Sequence, residues 1–206
     1  MKKLISVLLA GLLVAAMGGC SGTDGSTAFA GEKLQVGIVQ IMEHTSLDTI
    51  RESFLQQMEQ LGYGEDKVDY DIQNAQGEQT NLGTICQKFV GDGVDMIVAI
   101  ATPTAQTAAA STSEIPILFS AVTDPVEAKL LTDPQHPDGN VTGTSDAIPV
   151  DQVMQLCQEL TPEVHKIGFM YTTSEINAQV TTEQAMEAAE QMGYETQLMT
   201  ISEVSE

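Results

Sequence analysis

Positive charge is what this chain has least of. Eight Lys and Arg stand against 29 Asp and Glu, a formal net charge of −21. So acidic a surface is repelled by phosphate backbones and anionic headgroups, which sets nucleic acid aside as a partner. Arg51 is the only arginine, and the helical pattern around it places it on a solvated side. An anionic ligand would therefore have to be held by amides and hydroxyls. Cysteine is scarce too, at three residues. Cys86 falls with Leu82, Ile85 and Phe89, and Cys157 with Val153, Leu156 and Leu160, at helical spacing on apolar faces. Both read as small buried hydrophobes in different lobes, so no disulfide is expected. His44, His136 and His165 lack metal-ligand spacing with one another and with the cysteines, and no metal site is expected. There is no Gly-x-Ser-x-Gly elbow, no glycine-rich phosphate loop after a strand and no nucleophile–base pair. No cofactor and no catalytic residue is expected.

Long apolar runs are also missing, with one exception. Leu4 to Met17 follows the basic Met1-Lys2-Lys3 and is too short for a permanent span, which takes roughly 20 apolar residues. It suits a secretory signal. Gly18-Gly19-Cys20 after it resembles a bacterial lipobox, with Met17 at the position usually held by Leu. Cys20 would then become the lipid-modified N-terminus. The alternative is an ordinary signal peptide cut near Ala28-Phe29-Ala30. Residues 1–20 read as the signal and 21–32 as a flexible, small and polar tether.

From there strands and helices alternate. Strands are expected at Leu34–Gln40, Val68–Gln73, Met96–Ile100 and Ile117–Phe119. Helices are expected at Ser46–Leu61, Gln79–Val90 and Thr104–Ser111, with a helical turn or two over Pro125–Leu131. This order predicts a doubly wound parallel α/β sheet, a first lobe over 33–140. Leu131–Asn140 is rich in turn formers and reads as part of the connection between lobes. A strand near Val141–Thr144, a helix over Pro149–Leu160, a strand over Lys166–Tyr171, a helix over Glu175–Met192 and a strand over Glu195–Ile201 follow, giving a partial second lobe at 141–206. An internal echo supports two related lobes. Val36-Gly37-Ile38-Val39 and Glu59-Gln60-Leu61-Gly62-Tyr63 recur, at equal spacing, as Ile167-Gly168-Phe169-Met170 and Glu190-Gln191-Met192-Gly193-Tyr194. Loop Met42–Asp48 would then correspond to Thr173–Gln179. The second lobe stops after its first βαβ unit, and a truncated product is expected.

In open α/β sheets ligands bind beyond the carboxyl ends of the strands. Four loops meet that description and carry hydroxyls at helix starts, where amides and hydroxyls suit a carboxylate. Their candidates are His44, Ser46 and Asp48; Thr102 and Thr104; Ser120, Thr123 and Asp124; and Glu175 with Asn177. An ammonium on Glu175 or Asp124 and a carboxylate on the helix ends would suit a zwitterion. The plainer account of each Ser, Thr or Asp is an N-cap.

The segments VGIVQIMEHTSLD, AIATPTAQTAAA, ILFSAVTDPVEAKL, NVTGTSDAIPVDQ and KIGFMYTTSEINA, in this order, resemble the ABC-transporter substrate-binding proteins of the tryptophan/tyrosine type. The resemblance implies periplasmic-binding-protein type I architecture, two α/β lobes joined by a hinge and closing on a solute. It also implies the same ligand-facing residues by position, an amino-acid ligand with aromatic ones favoured, and delivery to a permease and its ATPase. The protein would be exported and held by its lipid on the outer face of the bacterial cytoplasmic membrane. The competing readings are an exported ligand-sensing module for a membrane receptor and a Rossmann-like enzyme.

Overall fold

Leu34–Gln40 forms the first strand, β1, and its alternation explains the fold around it. Val36 and Ile38 point to one side and Val39 to the other, and all three are buried. A strand apolar on both faces must be covered twice, and it is. The computed structural model describes residues 33–137 and 139–202; Cys20, the signal segment 1–20 and the tether 21–32 lie outside the described residues.

After β1 come α1 (Thr45–Gln60), β2 (Val68–Asn74), α2 (Gln79–Asp92), β3 (Met96–Ile100), α3 (Thr102–Ser111), β4 (Ile117–Val122) and β5 (Val141–Ser145). The five strands are parallel, in the order β2-β1-β3-β4-β5. On one face α1 lays Leu47, Ile50, Phe54 and Leu55 against Val36, Ile38, Val98 and Ile100. On the other face α2 and α3 bring Leu82, Cys86, Phe89, Ala105 and Ala108 onto Val39, Ile97, Ala99 and Phe119. Gly37 permits this second contact, because a Cβ there would collide with the Phe89 ring. The doubly wound α/β class read from the alternation is the class observed.

The remaining elements are α4 (Val150–Leu160), β6 (Lys166–Thr172), α5 (Ile176–Gln191) and β7 (Glu195–Ile201). β6 and β7 pair in parallel as a separate two-stranded sheet. Its small core is Met154, Ala188, Ala189 and Tyr194, with Ile167 and Phe169 against them. The echo between the two halves is visible in the helix ends. Tyr63 N donates to Met58 O at 2.8 Å after α1, and Tyr194 N donates to Ala189 O at 3.0 Å after α5. Gly62 and Gly193 adopt φ of 84° and 89° between them, the left-handed step of a Schellman cap. The strand glycines differ: Gly37 is jammed against Phe89, whereas nothing lies within 4 Å of a Cβ at Gly168.

Several expectations need correction. Val141–Ser145, assigned to the start of the second lobe, is the edge strand of the first sheet, and Leu131–Asn140 connects β4 to β5 rather than two lobes. Side-chain bonds from Asn140 to the carbonyls of Thr112 (3.2 Å) and Ile115 (2.8 Å) hold the chain there. Gly143 lets β5 approach, since a Cβ would run into the Phe119 carbonyl and ring. Over Pro125–Lys129 the chain turns as read, with Ala128 N donating to Asp124 O at 3.0 Å. Cys157 is exposed, not buried, because α4 turns Leu156 and Leu160 outward with it. Arg51 is not on a solvated side: its side chain is 21% exposed and inserts toward β1.

Candidate functional site

In this strand order the chain reverses direction across the sheet between β1 and β3, and the crevice of an open α/β sheet opens at the carboxyl ends of those strands. Three of the four candidate loops start there or next door, after β1, β3 and β4. The fourth follows β6. Ile176, between Glu175 and Asn177, packs against the core of the five-stranded sheet, so this loop reaches the first sheet as well.

The β1 loop carries His44 at the N-cap of α1, where its Nδ1 accepts from the Ser46 amide at 3.3 Å. His44 and Ser46 are exposed. Asp48 faces inward, and its Oδ1 accepts from Gln40 Nε2 at 2.9 Å and from Arg51 Nη1 at 3.1 Å. Its carboxylate is thus already engaged with the protein.

The β3 loop is the most unusual. Ala101 has φ 81° and ψ 157°, a conformation that side-chain-bearing residues rarely adopt. Its amide is bonded to Ser120 O at 2.9 Å. Directly after it α3 begins with Thr102, Pro103 and Thr104, two residues earlier than the sequence suggests because Pro103 is tolerated in the first turn. Thr102 and Thr104 are 2% and 0% exposed. Neither hydroxyl has a hydrogen-bond partner among the described residues. An unpaired buried hydroxyl costs about 1–3 kcal/mol, so these two weaken the fold unless something else bonds them.

At the end of β4 a second alanine, Ala121, has φ 56°, beside the register shift between β4 and β5. Ser120 Oγ lies 3.3 Å from Thr144 Oγ1 on β5. Thr123 offers its carbonyl to Ser145 Oγ at 2.9 Å. Asp124 Oδ1 accepts from the amides of Val126 (2.9 Å) and Glu127 (3.0 Å), an Asx cap on the turn that follows. For Asp124 the capping account is thus the observed one.

Glu175 is the N-cap of α5, yet its side chain makes no capping bond. Asn177 buries its Oδ1 without a partner among the described residues. Among the described residues Thr102, Thr104 and Asn177 supply every buried side-chain nitrogen or oxygen that lacks a partner. All three are among the cleft residues to which the sequence points.

The structure thus groups His44, Ser46 and Asp48 after β1, Thr102 and Thr104 after β3, and Ser120, Thr123 and Asp124 after β4, all on one edge of one sheet. Glu175 and Asn177 come from the other sheet. Sequence reasoning missed Gln40, Arg51, Thr144, Ala101 and Ala121. Gln40 had one weak signal, a polar residue closing a largely apolar strand; an alanine with positive φ leaves none. Among the described residues no group of three or more His, Cys, Asp or Glu could hold a metal ion, and no helix is long and apolar enough to cross a membrane.

Comparison with known proteins fits this arrangement. Residues 35–206 match the family model of the ABC transporter substrate binding protein. A tyrosine-binding protein of Clostridioides difficile (strain R20291) is 41% identical over 214 residues, covering 100% of this chain and 62% of that protein. Among solved structures, the ABC domain in complex with L-Trp from Streptococcus pneumonia is 35% identical, with a TM-score of 0.82, over 84% of this chain and 59% of that one. The ligand-free, open structure of a substrate binding protein with adhesive properties from Clostridium difficile is 38% identical, with a TM-score of 0.64, over 82% of this chain and 58% of that one. The chain therefore spans about three fifths of the length of these relatives. The fold is that of type I periplasmic binding proteins, as the segments had implied. With its family model running from residue 35 to residue 206, the chain belongs to the ABC transporter substrate binding proteins.

Proposed function

We propose that this chain is the solute-binding part of a bacterial ABC importer and that it takes an amino acid, aromatic ones favoured, at the loops after β1, β3, β4 and β6. The observation that carries the reading is the set of unpaired buried atoms on Thr102, Thr104 and Asn177. A binding protein that must bond a polar ligand cannot also bond those groups internally. The free protein bears the cost, and the ligand removes it.

The charges complete the reading. Asp48 and Asp124 are engaged within the protein, which leaves the half-buried carboxylate of Glu175 for a ligand ammonium. The ligand carboxylate takes the hydroxyls of Thr102 and Thr104 at the start of α3, where the helix dipole favours negative charge. Each end of the ligand then touches a different sheet, and such a ligand stabilises the closed arrangement over the open one. At comparable identity, the greater likeness to the L-Trp complex than to the ligand-free, open structure supports this reading.

Around this site we place the rest of the machinery as the sequence implied it. The signal is removed, Cys20 carries the lipid that holds the protein to the outer face of the cytoplasmic membrane, and the closed form is read by a permease coupled to its ATPase. The protein binds and does not turn its solute over.

Thermal unfolding with and without L-tyrosine, L-tryptophan and L-leucine tests the reading. Ligand at 100 times its dissociation constant adds about 2.7 kcal/mol of stability. A saturable rise with the aromatic amino acids is expected; a transition that no amino acid moves would rule the reading out. Incorporation of labelled fatty acid into the wild type but not into Cys20→Ala is expected, and labelling of both would overturn the anchor.

A further inference from the structure

Gln40 is 1% exposed, the one amide among the fully buried side chains of the described residues. Its carbonyl Oε1 accepts from Arg51 Nη1 at 2.7 Å. Its Nε2 donates to Asp48 Oδ1 at 2.9 Å and to the Met42 carbonyl at 2.7 Å. The ring is closed by Arg51 Nη1 on the same Asp48 oxygen at 3.1 Å. Every hydrogen of the amide is used, and the partners come from the β1–α1 loop (Met42) and from α1 (Asp48 and Arg51).

We propose that Gln40, Asp48 and Arg51 form a clamp that positions the loop carrying His44 against the ligand cleft. Gln40 ends β1, Met42 lies in the loop, and Asp48 and Arg51 stand on the first turns of α1. The clamp therefore joins the strand, the loop and the helix through one buried side chain. Its position next to the strand-order reversal is where a small displacement of the loop would reshape the crevice. It also explains why the only arginine of so acidic a chain is turned inward: opposite charge on Asp48 and a neutral amide acceptor hold it there. Asp48 and Arg51 thus act through the loop rather than by touching ligand.

The ligand consequence rests on the function proposed above, so the test separates the two. Arg51→Met keeps much of the side-chain stem and removes the donors; Arg51→Lys restores a cation. Amide hydrogen exchange in the ligand-free full chain would be followed at Ser46 and Gly77, which are bonded to His44 Nδ1 and Ile41 O, and at Ile97 as a reference in the sheet. Arg51→Met is expected to speed exchange at Ser46 and Gly77 at least tenfold while leaving Ile97 unchanged, and Arg51→Lys to recover part of the protection. L-tryptophan affinity should fall about tenfold in Arg51→Met, with partial recovery in Arg51→Lys. Unchanged loop exchange, or an equal rise at Ile97, would overturn the clamp. A loosened loop with unchanged affinity would overturn its role in positioning. Failure of the wild type itself to bind any amino acid would refute the function and leave the clamp to be decided by the exchange alone.

Discussion

Thr102 and Thr104 stand at alternate positions in the first turn of α3, and each buries a hydroxyl that bonds to no other group of the described protein. Folding normally eliminates such atoms, because the water lost from them is not replaced. Thr→Val removes the hydroxyl and keeps the shape. For Thr104→Val we expect a melting temperature equal to or above that of the wild type, with a ligand dissociation constant raised at least tenfold, since a bond to a charged group is worth about 1.5–3 kcal/mol. Calorimetric titration beside thermal unfolding reads both. A residue present only for packing would shift neither.

Ala101 gives the same trade-off in the backbone. A conformation this rare costs on the order of 1–3 kcal/mol when the residue is not glycine, and φ is 81° here. Ala101→Gly should raise unfolding free energy by about 1 kcal/mol in denaturant titration. Lower stability would show that the strain is absent in solution.

These two loops show how much was legible beforehand. The order of strands and helices could be read because the apolar spacing of Val36, Ile38 and Val39, or of Leu82, Cys86 and Phe89, is dictated by which faces must be buried. The cleft residues could be read because ligand loops of a parallel sheet lie at the carboxyl ends of strands. The place of Val141–Ser145 could not, since strand partners in a sheet are fixed by three-dimensional closeness. Here that closeness depends on a missing Cβ at Gly143 and on two bonds from Asn140. The inward turn of Arg51 was hidden for a similar reason, because its acceptor Gln40 belongs to another element.

Those two residues at β5 make a prediction of their own. Gly143→Ala would force β5 away from the Phe119 carbonyl, and Asn140→Ala would strand two carbonyls. Each should lower stability, Asn140→Ala by about 1–3 kcal/mol, in chemical denaturation. A neutral Gly143→Ala would show that β5 is not paired to β4 in solution.

The two described cysteines should separate cleanly by reactivity. Burial pushes the Cys86 thiol up from 9.0 to about 11, against a smaller opposing effect of its hydrogen bond with Ser111. Cys157 is exposed. Alkylation at pH 8 followed by peptide mapping should modify Cys157 in the folded protein and Cys86 only after unfolding. The raised value also has a sign for stability. The folded state holds this proton more tightly than the unfolded chain, so the contribution is complete below pH 9 and is lost as pH rises from 9 toward 11. Cys86→Ala should flatten that alkaline loss; an unchanged alkaline limb would assign it to other groups.

The central claim is that Thr102, Thr104 and Asn177 keep their polar atoms for an amino acid, and the composition offers a direct way to see one bind. The protein contains no tryptophan, so the indole emission of added L-tryptophan is free of background from the protein. Titrating the full chain into L-tryptophan should produce a saturable rise in indole polarisation, reversed by excess L-tyrosine and strongly weakened in Thr104→Val. Polarisation that stays flat to millimolar protein, or that rises equally with Thr104→Val, would contradict the account.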